Sequence, residues 1–144
     1  MKIVPFTAKH LEDIDIQESQ LEELKMMTED ILQMVENQCP SFTCLDDDGT
    51  VLFCGGIVPM TTTRACVWSY LSKDLKKNMV KITNACKAYF KLTPYRRLEL
   101  HVKCDFDKGH AWARLLGFTL ECERMRCFDP NGDDYALYAM VKTC

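Results

Sequence analysis

Apolar positions change their spacing several times along the chain, and each change marks a new element. Met1–Phe6 reads as a short strand ending at Pro5, after which Thr7 can cap a short helix through Ile14. From Glu18 to Asn37, Leu21, Leu24, Met27, Ile31, Met34 and Val35 recur near helical spacing, which predicts one helix closed by Pro40. Its acids fall elsewhere, on a solvated face, and are dense in its first turns, where the helix dipole favours them. Ser41–Leu45 and Thr50–Val58 predict two strands around the turn Asp46-Asp47-Asp48-Gly49. Gly55-Gly56 inside the second strand implies a bulge or a close backbone approach.

Arg64–Leu71 is apolar almost throughout, as in a central strand covered on both faces. Ser72 can cap the next helix, from Lys73 to about Lys91, which turns Leu75, Met79, Ile82, Cys86, Tyr89 and Phe90 to one side. Pro94 closes it. Arg97–Lys103 alternates, with Leu98, Leu100 and Val102 on one face and Glu99, His101 and Lys103 on the other. Asp107 can cap a helix from Lys108 to Leu116, with Gly117 at its C-terminal cap position. Thr119–Phe128 and Tyr135–Lys142 then form strands joined through Asn131-Gly132, a strong turn pair. Strands alternating with helices and ending in a hairpin call for an α/β fold. The expected sheet is mixed, of about six to seven strands, with helices on both faces.

The 144 residues suit one domain, and 47% hydrophobic content suffices for one core. A net charge of −3 conceals a strong segregation. Residues 1–50 hold twelve acids against three bases, residues 64–103 ten bases against two acids, and residues 104–144 seven acids against five bases. The basic middle is therefore the place for an anionic ligand. Its lysines lack interleaved aromatics or clustered arginines, so specific nucleic-acid binding is not expected.

Met1–Phe6 has no apolar h-region and no run approaches membrane-spanning length, so neither a signal peptide nor a membrane is expected. Nine cysteines, an odd number, point to a reducing compartment, the cytoplasm. Most lie inside apolar patterns and behave as small hydrophobes. Cys39/Cys44 and Cys122/Cys127 share a gap but lack the tight pairing of a zinc site, so no metal is expected. The three adjacent aspartates lack the spacing and distal Glu of a calcium loop and read as a turn.

The strand before Cys104, the helix ending in Leu116-Gly117-Phe118, and the hairpin closing in a Tyr135/Tyr138 strand resemble the C-terminal half of GNAT acetyltransferases. By order of elements the resemblance covers residues 1–144 as one GNAT-like domain; in residues it is specific around Leu116–Phe118. The nearest likeness is to small GNAT-like proteins of tailed phages, some of them internal virion proteins. It rests on Val67-Trp68 with Leu71-Ser72, the Lys-rich helix, and Asp105-Phe106 through Gly109-His110 and Trp112 to Phe118.

The resemblance implies acetyl-CoA, with its pantetheine between Arg64–Leu71 and Arg97–Lys103 and its pyrophosphate on the following helix start. The residues implied as cofactor-binding are Val67, Trp68, Tyr70, Leu71, Ser72, Lys76, Lys77 and Asn78. Free N–H groups and a helix dipole suit phosphate. Two departures stand out. The family's glycine-rich phosphate loop is here Ser72-Lys73-Asp74-Leu75-Lys76-Lys77-Asn78, and the family's general-acid Tyr is replaced by Ala113.

Aminolysis of a thioester needs a base for the incoming ammonium. Glu99 and His101 share the strand face expected to border the cleft; the plainer reading of that face is simple solvation. His110, beside Gly109, is a candidate proton donor or substrate contact, against a packing role. Trp112 reads as core or cleft wall, and Cys104 shows no base to activate it. Two functions follow. One is an acetyl-CoA-dependent N-acetyltransferase acting on a primary amine of a small molecule or protein by direct attack. The other is a catalytically degenerate GNAT-fold phage protein, a virion or assembly component or a binder of a phage or host protein.

Overall fold

The computed structural model describes residues 1–143, with Lys76 described by its backbone alone. Its elements run β1 (Lys2–Pro5), α1 (Lys9–Asp13), α2 (Glu18–Lys25), α3 (Glu29–Gln38), β2 (Ser41–Leu45), β3 (Val51–Pro59), β4 (Arg64–Leu71), α4 (Met79–Leu92), β5 (Arg97–Lys103), α5 (Asp107–Leu115), β6 (Thr119–Met125) and β7 (Tyr135–Val141). The seven strands form one mixed sheet in the order β1-β2-β3-β4-β5-β7-β6. This is the expected α/β class. By internal packing the chain forms two compact units, Met1–Val58 with Val67–Ile82, and Pro59–Cys66 with Thr83–Cys144.

In the first unit, Phe6, Leu11, Ile14, Ile16, Val35, Val51, Cys54 and Tyr70 form the core. Trp68 packs against it edge-on to Phe6, with ring centroids 5.1 Å apart. The β2–β3 hairpin turns at Gly49, whose φ of +83° a side chain would resist. Asp46 Oδ1 accepts from the N–H groups of Asp48 and Thr50, each at 2.9 Å, so the aspartate run is a turn, as expected. Ser41 and Gly56 are paired across the hairpin, and a Cβ on Gly56 would run into the Pro40 carbonyl and the Ser41 backbone. The glycine pair marks a close backbone approach.

Two helix expectations are corrected. The single helix over Glu18–Asn37 is broken at Met26-Met27-Thr28 into α2 and α3. Thr28 takes an extended ψ of 155° and its hydroxyl accepts from Ile31 N–H at 3.3 Å, so it caps a second helix instead of continuing the first. The expected apolar face is buried only in part: Val35 is buried, whereas Leu21, Ile31 and Met34 are exposed and the polar Gln20 is buried. The helix expected from Lys73 begins only at Met79, after a 3-10 turn over Lys76–Asn78. Ser72 does not cap it; its hydroxyl accepts from Asp74 N–H at 3.1 Å and closes a local turn.

In the second unit Leu98 and Tyr138 are fully buried, and Phe90 meets Phe118 edge-to-face at 5.5 Å. β5 pairs antiparallel with β7 along its length, Arg97 with Val141 through Lys103 with Tyr135. Gly117, with φ +100°, ends α5 as expected, and Gly132, with φ +81°, turns the last hairpin.

Candidate functional site

β4 and β5 run parallel, with Arg64, Ala65 and Cys66 opposite Arg97, Leu98 and Glu99. Among the described residues the register ends there. The polar face of β5 follows the expected alternation but begins one step earlier than Glu99. Arg97 Nε donates to Glu99 Oε1 at 2.7 Å, and Arg64 Nη1 donates to the same oxygen at 3.3 Å. Arg97 also grips Glu121 with both terminal nitrogens, at 3.1 and 2.7 Å. Burial pushes the Glu99 carboxyl up, but the Arg97 hydrogen bond and the two guanidinium charges outweigh it and hold Glu99 below the usual carboxylate range. Glu99 is thus a charged anchor and a poor acceptor for a substrate proton.

His101 lies two residues further along the same face. The Phe128 ring covers it, with centroids 4.9 Å apart, and Phe128 stands 5.0 Å from Tyr135. Burial lowers the imidazole below its ordinary 6.5, against the opposing pull of Glu99. At neutral pH His101 is therefore an uncharged imidazole with a basic nitrogen, as a general base requires.

His110 is differently placed. Its Nε2 lies 3.0 Å from the Cys104 carbonyl and its Nδ1 2.7 Å from the buried Tyr138 hydroxyl. The carbonyl can only accept, so Nε2 carries the proton and Nδ1 accepts from Tyr138. Both nitrogens are committed within the fold, which makes His110 a clamp between α5 and β7. Trp112 Nε1 donates to the buried Thr83 at 3.0 Å, and Cys104 Sγ lies 3.4 Å from the Glu123 carbonyl oxygen. Ala113 is buried and presents only a methyl group.

A cleft of about 370 Å³ lies at the end of β5, lined by Lys103, Cys104, Asp105, Arg124, Gly132, Asp133 and Asp134. Lys103 pairs with Asp133 at 3.2 Å and Arg124 with Asp134 at 2.5 Å, so much of its charge is internally neutralised.

The cofactor-binding residues expected on β4 and the following turn are Val67, Trp68, Tyr70, Leu71, Ser72, Lys76, Lys77 and Asn78. Tyr70, Leu71, Ser72 and Asn78 are buried, and Lys77 is exposed. The side chain of Lys76 lies outside the described residues. Trp68 holds its indole N–H buried with no hydrogen-bond partner, a placement that costs about 1–3 kcal/mol unless a ligand supplies an acceptor.

Ser72 N–H donates to Leu52 on β3 at 2.9 Å, so strand alternation turns the polar groups of Ser69 and Leu71 to the opposite edge of β4. The chain itself fills that edge. Gln20 Nε2 donates to Ser69 C=O and Gln20 Oε1 accepts from Leu71 N–H, both at 2.9 Å. Gln17 N–H donates to Leu71 C=O at 3.0 Å, and Lys73 N–H donates to Asp15 C=O at 2.9 Å. These bonds form an antiparallel bridge between Ile16 and Ser72. In the turn, Asp74 N–H is held by Ser72 and Asn78 N–H by the Leu75 carbonyl. With these groups engaged, an extended amide ligand does not fit the Ser69–Lys73 edge in the form described.

No protein-family model matches the chain, and no curated protein matches it. Solved structures do. Ard1 from Thermoplasma volcanium matches with a TM-score of 0.74 at 13% identity, over 99% of this chain and 98% of that one. An N-acetyltransferase from Staphylococcus aureus Mu50 matches at 0.74 and 12% identity, over 97% and 96%. An acetyltransferase of the GNAT family from Bacillus anthracis matches at 0.69 and 14%, over 96% and 93%. The chain has the GNAT fold.

On that fold, sequence reasoning missed three participants. Arg97 was legible, since it precedes Glu99 by two positions and must share its face. Phe128 gave a weak signal, an aromatic beside a turn. Gln20 gave none, because its partners lie 49 and 51 residues away. Among the described residues no three His, Cys, Asp or Glu side chains gather as a metal site, and no helix is long and apolar enough to cross a membrane.

Proposed function

We propose that the protein is a GNAT-type N-acetyltransferase acting on a primary amine, with His101 as its base. What carries this reading is the GNAT fold over nearly all of the given residues together with an uncharged, aromatic-covered imidazole on β5, the strand that parallels β4 through Cys66. Acetyl-CoA would supply the activated acyl thioester that an amine attacks directly. His101 would take the ammonium proton, Glu99 would fix the strand through Arg97, and the exposed Lys77 would lend positive charge beside phosphate. The β4 edge beyond Ser69 must first be released, because Gln20 and Gln17 hold it.

Acetyl transfer to a panel of primary amines tests the role of His101. We expect His101→Ala to lower turnover about a hundredfold, in keeping with general-base catalysis. In the unaltered protein the rate should climb as pH rises through the His101 pKa, which lies below 6.5, and level off near neutrality. A rate unaffected by His101→Ala would remove it as the base.

The occupied edge favours a second reading, a GNAT-fold protein without catalysis, of the phage virion or assembly type or a binder of a host protein. Ala113 and the glycine-free turn support it as well. Capture of a defined phage or host partner by a protein that shows no acetyl transfer would establish it.

A further inference from the structure

We propose that the Asp15–Gln20 segment is a latch, a piece of the chain's own backbone and one carboxamide standing where an extended amide ligand would add to the edge of β4. The inference rests on the acetyltransferase reading for the identity of that ligand, the pantetheine arm of acetyl-CoA. Its physical basis is independent of that reading.

A strand edge offers alternating N–H and C=O groups, and any amide presenting the complementary pattern can add to it. The Gln20 carboxamide does so literally: one donor to Ser69 C=O, one acceptor for Leu71 N–H, the pattern of a single peptide unit. Gln17 and Asp15 continue the ladder with their main chains. Four consecutive polar groups of the edge are thereby satisfied without a second strand. Burying a glutamine on a helix whose Leu21 is left exposed runs against the usual economy of folding, and the edge bonds offset it.

The attachment is local, and its rim is wet. The Lys73–Asp15 ion pair, at 3.0 Å, joins two side chains that are both more than half exposed, so it adds little. Leu71 and Lys73 N–H groups depend on this segment, whereas Ser72 N–H depends on β3. A latch therefore opens the first two amides and leaves the third closed.

Residue-resolved amide hydrogen exchange on the intact protein reads this directly. We expect the Leu71 and Lys73 amides to exchange by local opening, at least about tenfold less protected than Ser72. Equal protection of all three would make the segment a fixed brace and overturn the proposal. Titration with acetyl-CoA gives the second readout: Gln20→Ala should bind it about tenfold more tightly than the unaltered protein, since the competing state loses two of its four edge bonds. Gln20→Glu, which keeps the acceptor and loses the donor, should shift affinity in the same direction if Gln20→Ala folds poorly. Equal affinity with and without Gln20 would overturn the latch. Binding to neither protein would sink the acetyltransferase reading, and the exchange pattern would then decide the latch alone.

Discussion

Glu99→Ala should destabilise the protein by about 2–3 kcal/mol, below the 3–5 typical of a fully buried pair because both guanidiniums reach solvent. Glu99 is 7% exposed, and its Oε1 receives both Arg97 and Arg64. Removing it leaves Arg97 tied only to the more exposed Glu121 and leaves Arg64 without its carboxylate. Chemical denaturation at pH 7 measures this. The same group sets a pH dependence. Its carboxyl is held below the ordinary 4.5, so its stabilisation is present above that value and lost as pH falls through the folded-state pKa. Acid should therefore weaken the unaltered protein more than Glu99→Ala, and the gap between them should narrow below about pH 4.5. A gap that stays constant to pH 3 would show that the ion pairs contribute nothing.

Gly56→Ala should cost about 3 kcal/mol, the upper end of overpacking effects. The added methyl would meet backbone on two sides, the Pro40 carbonyl oxygen and the Ser41 Cα, the latter at 2.6 Å. Backbone cannot rotate away as a side chain can. The same carbonyl accepts from Ile57 N–H at 3.0 Å, so moving it also breaks a hydrogen bond. Gly49→Ala is the useful contrast: nothing lies within 4 Å of the added atom, and only its positive φ resists. A thermal melt ranking Gly56→Ala no worse than Gly49→Ala would contradict the close-approach argument.

Much of the fold was legible because local rules sufficed. Gly49, Gly117 and Gly132 sit at positive φ where turn and cap chemistry places glycine. The alternation of Arg97–Lys103 named the face that carries Glu99 and His101. Failures came where local and long-range forces disagree. The apolar period runs unbroken through Met26–Thr28, yet Thr28 gains a cap by leaving the helix. The site was less legible than the fold. That Glu99 is ion-paired and His101 lies under an aromatic ring depends on which side chains reach across from Arg64 and Phe128. That His110 is a clamp depends on Tyr138 in the last strand. The self-filled edge of β4 depends on a glutamine whose position in an acidic helix looks like solvent exposure.

Thermal unfolding with and without acetyl-CoA tests the acetyltransferase account most directly. At a hundred times the dissociation constant a ligand stabilises the folded state by about 2.7 kcal/mol. For a chain of this size that is a rise in Tm on the order of 10 °C. We expect such a rise at millimolar acetyl-CoA, reached at lower concentration by Gln20→Ala. Unchanged melting of both proteins at millimolar acetyl-CoA would contradict the account.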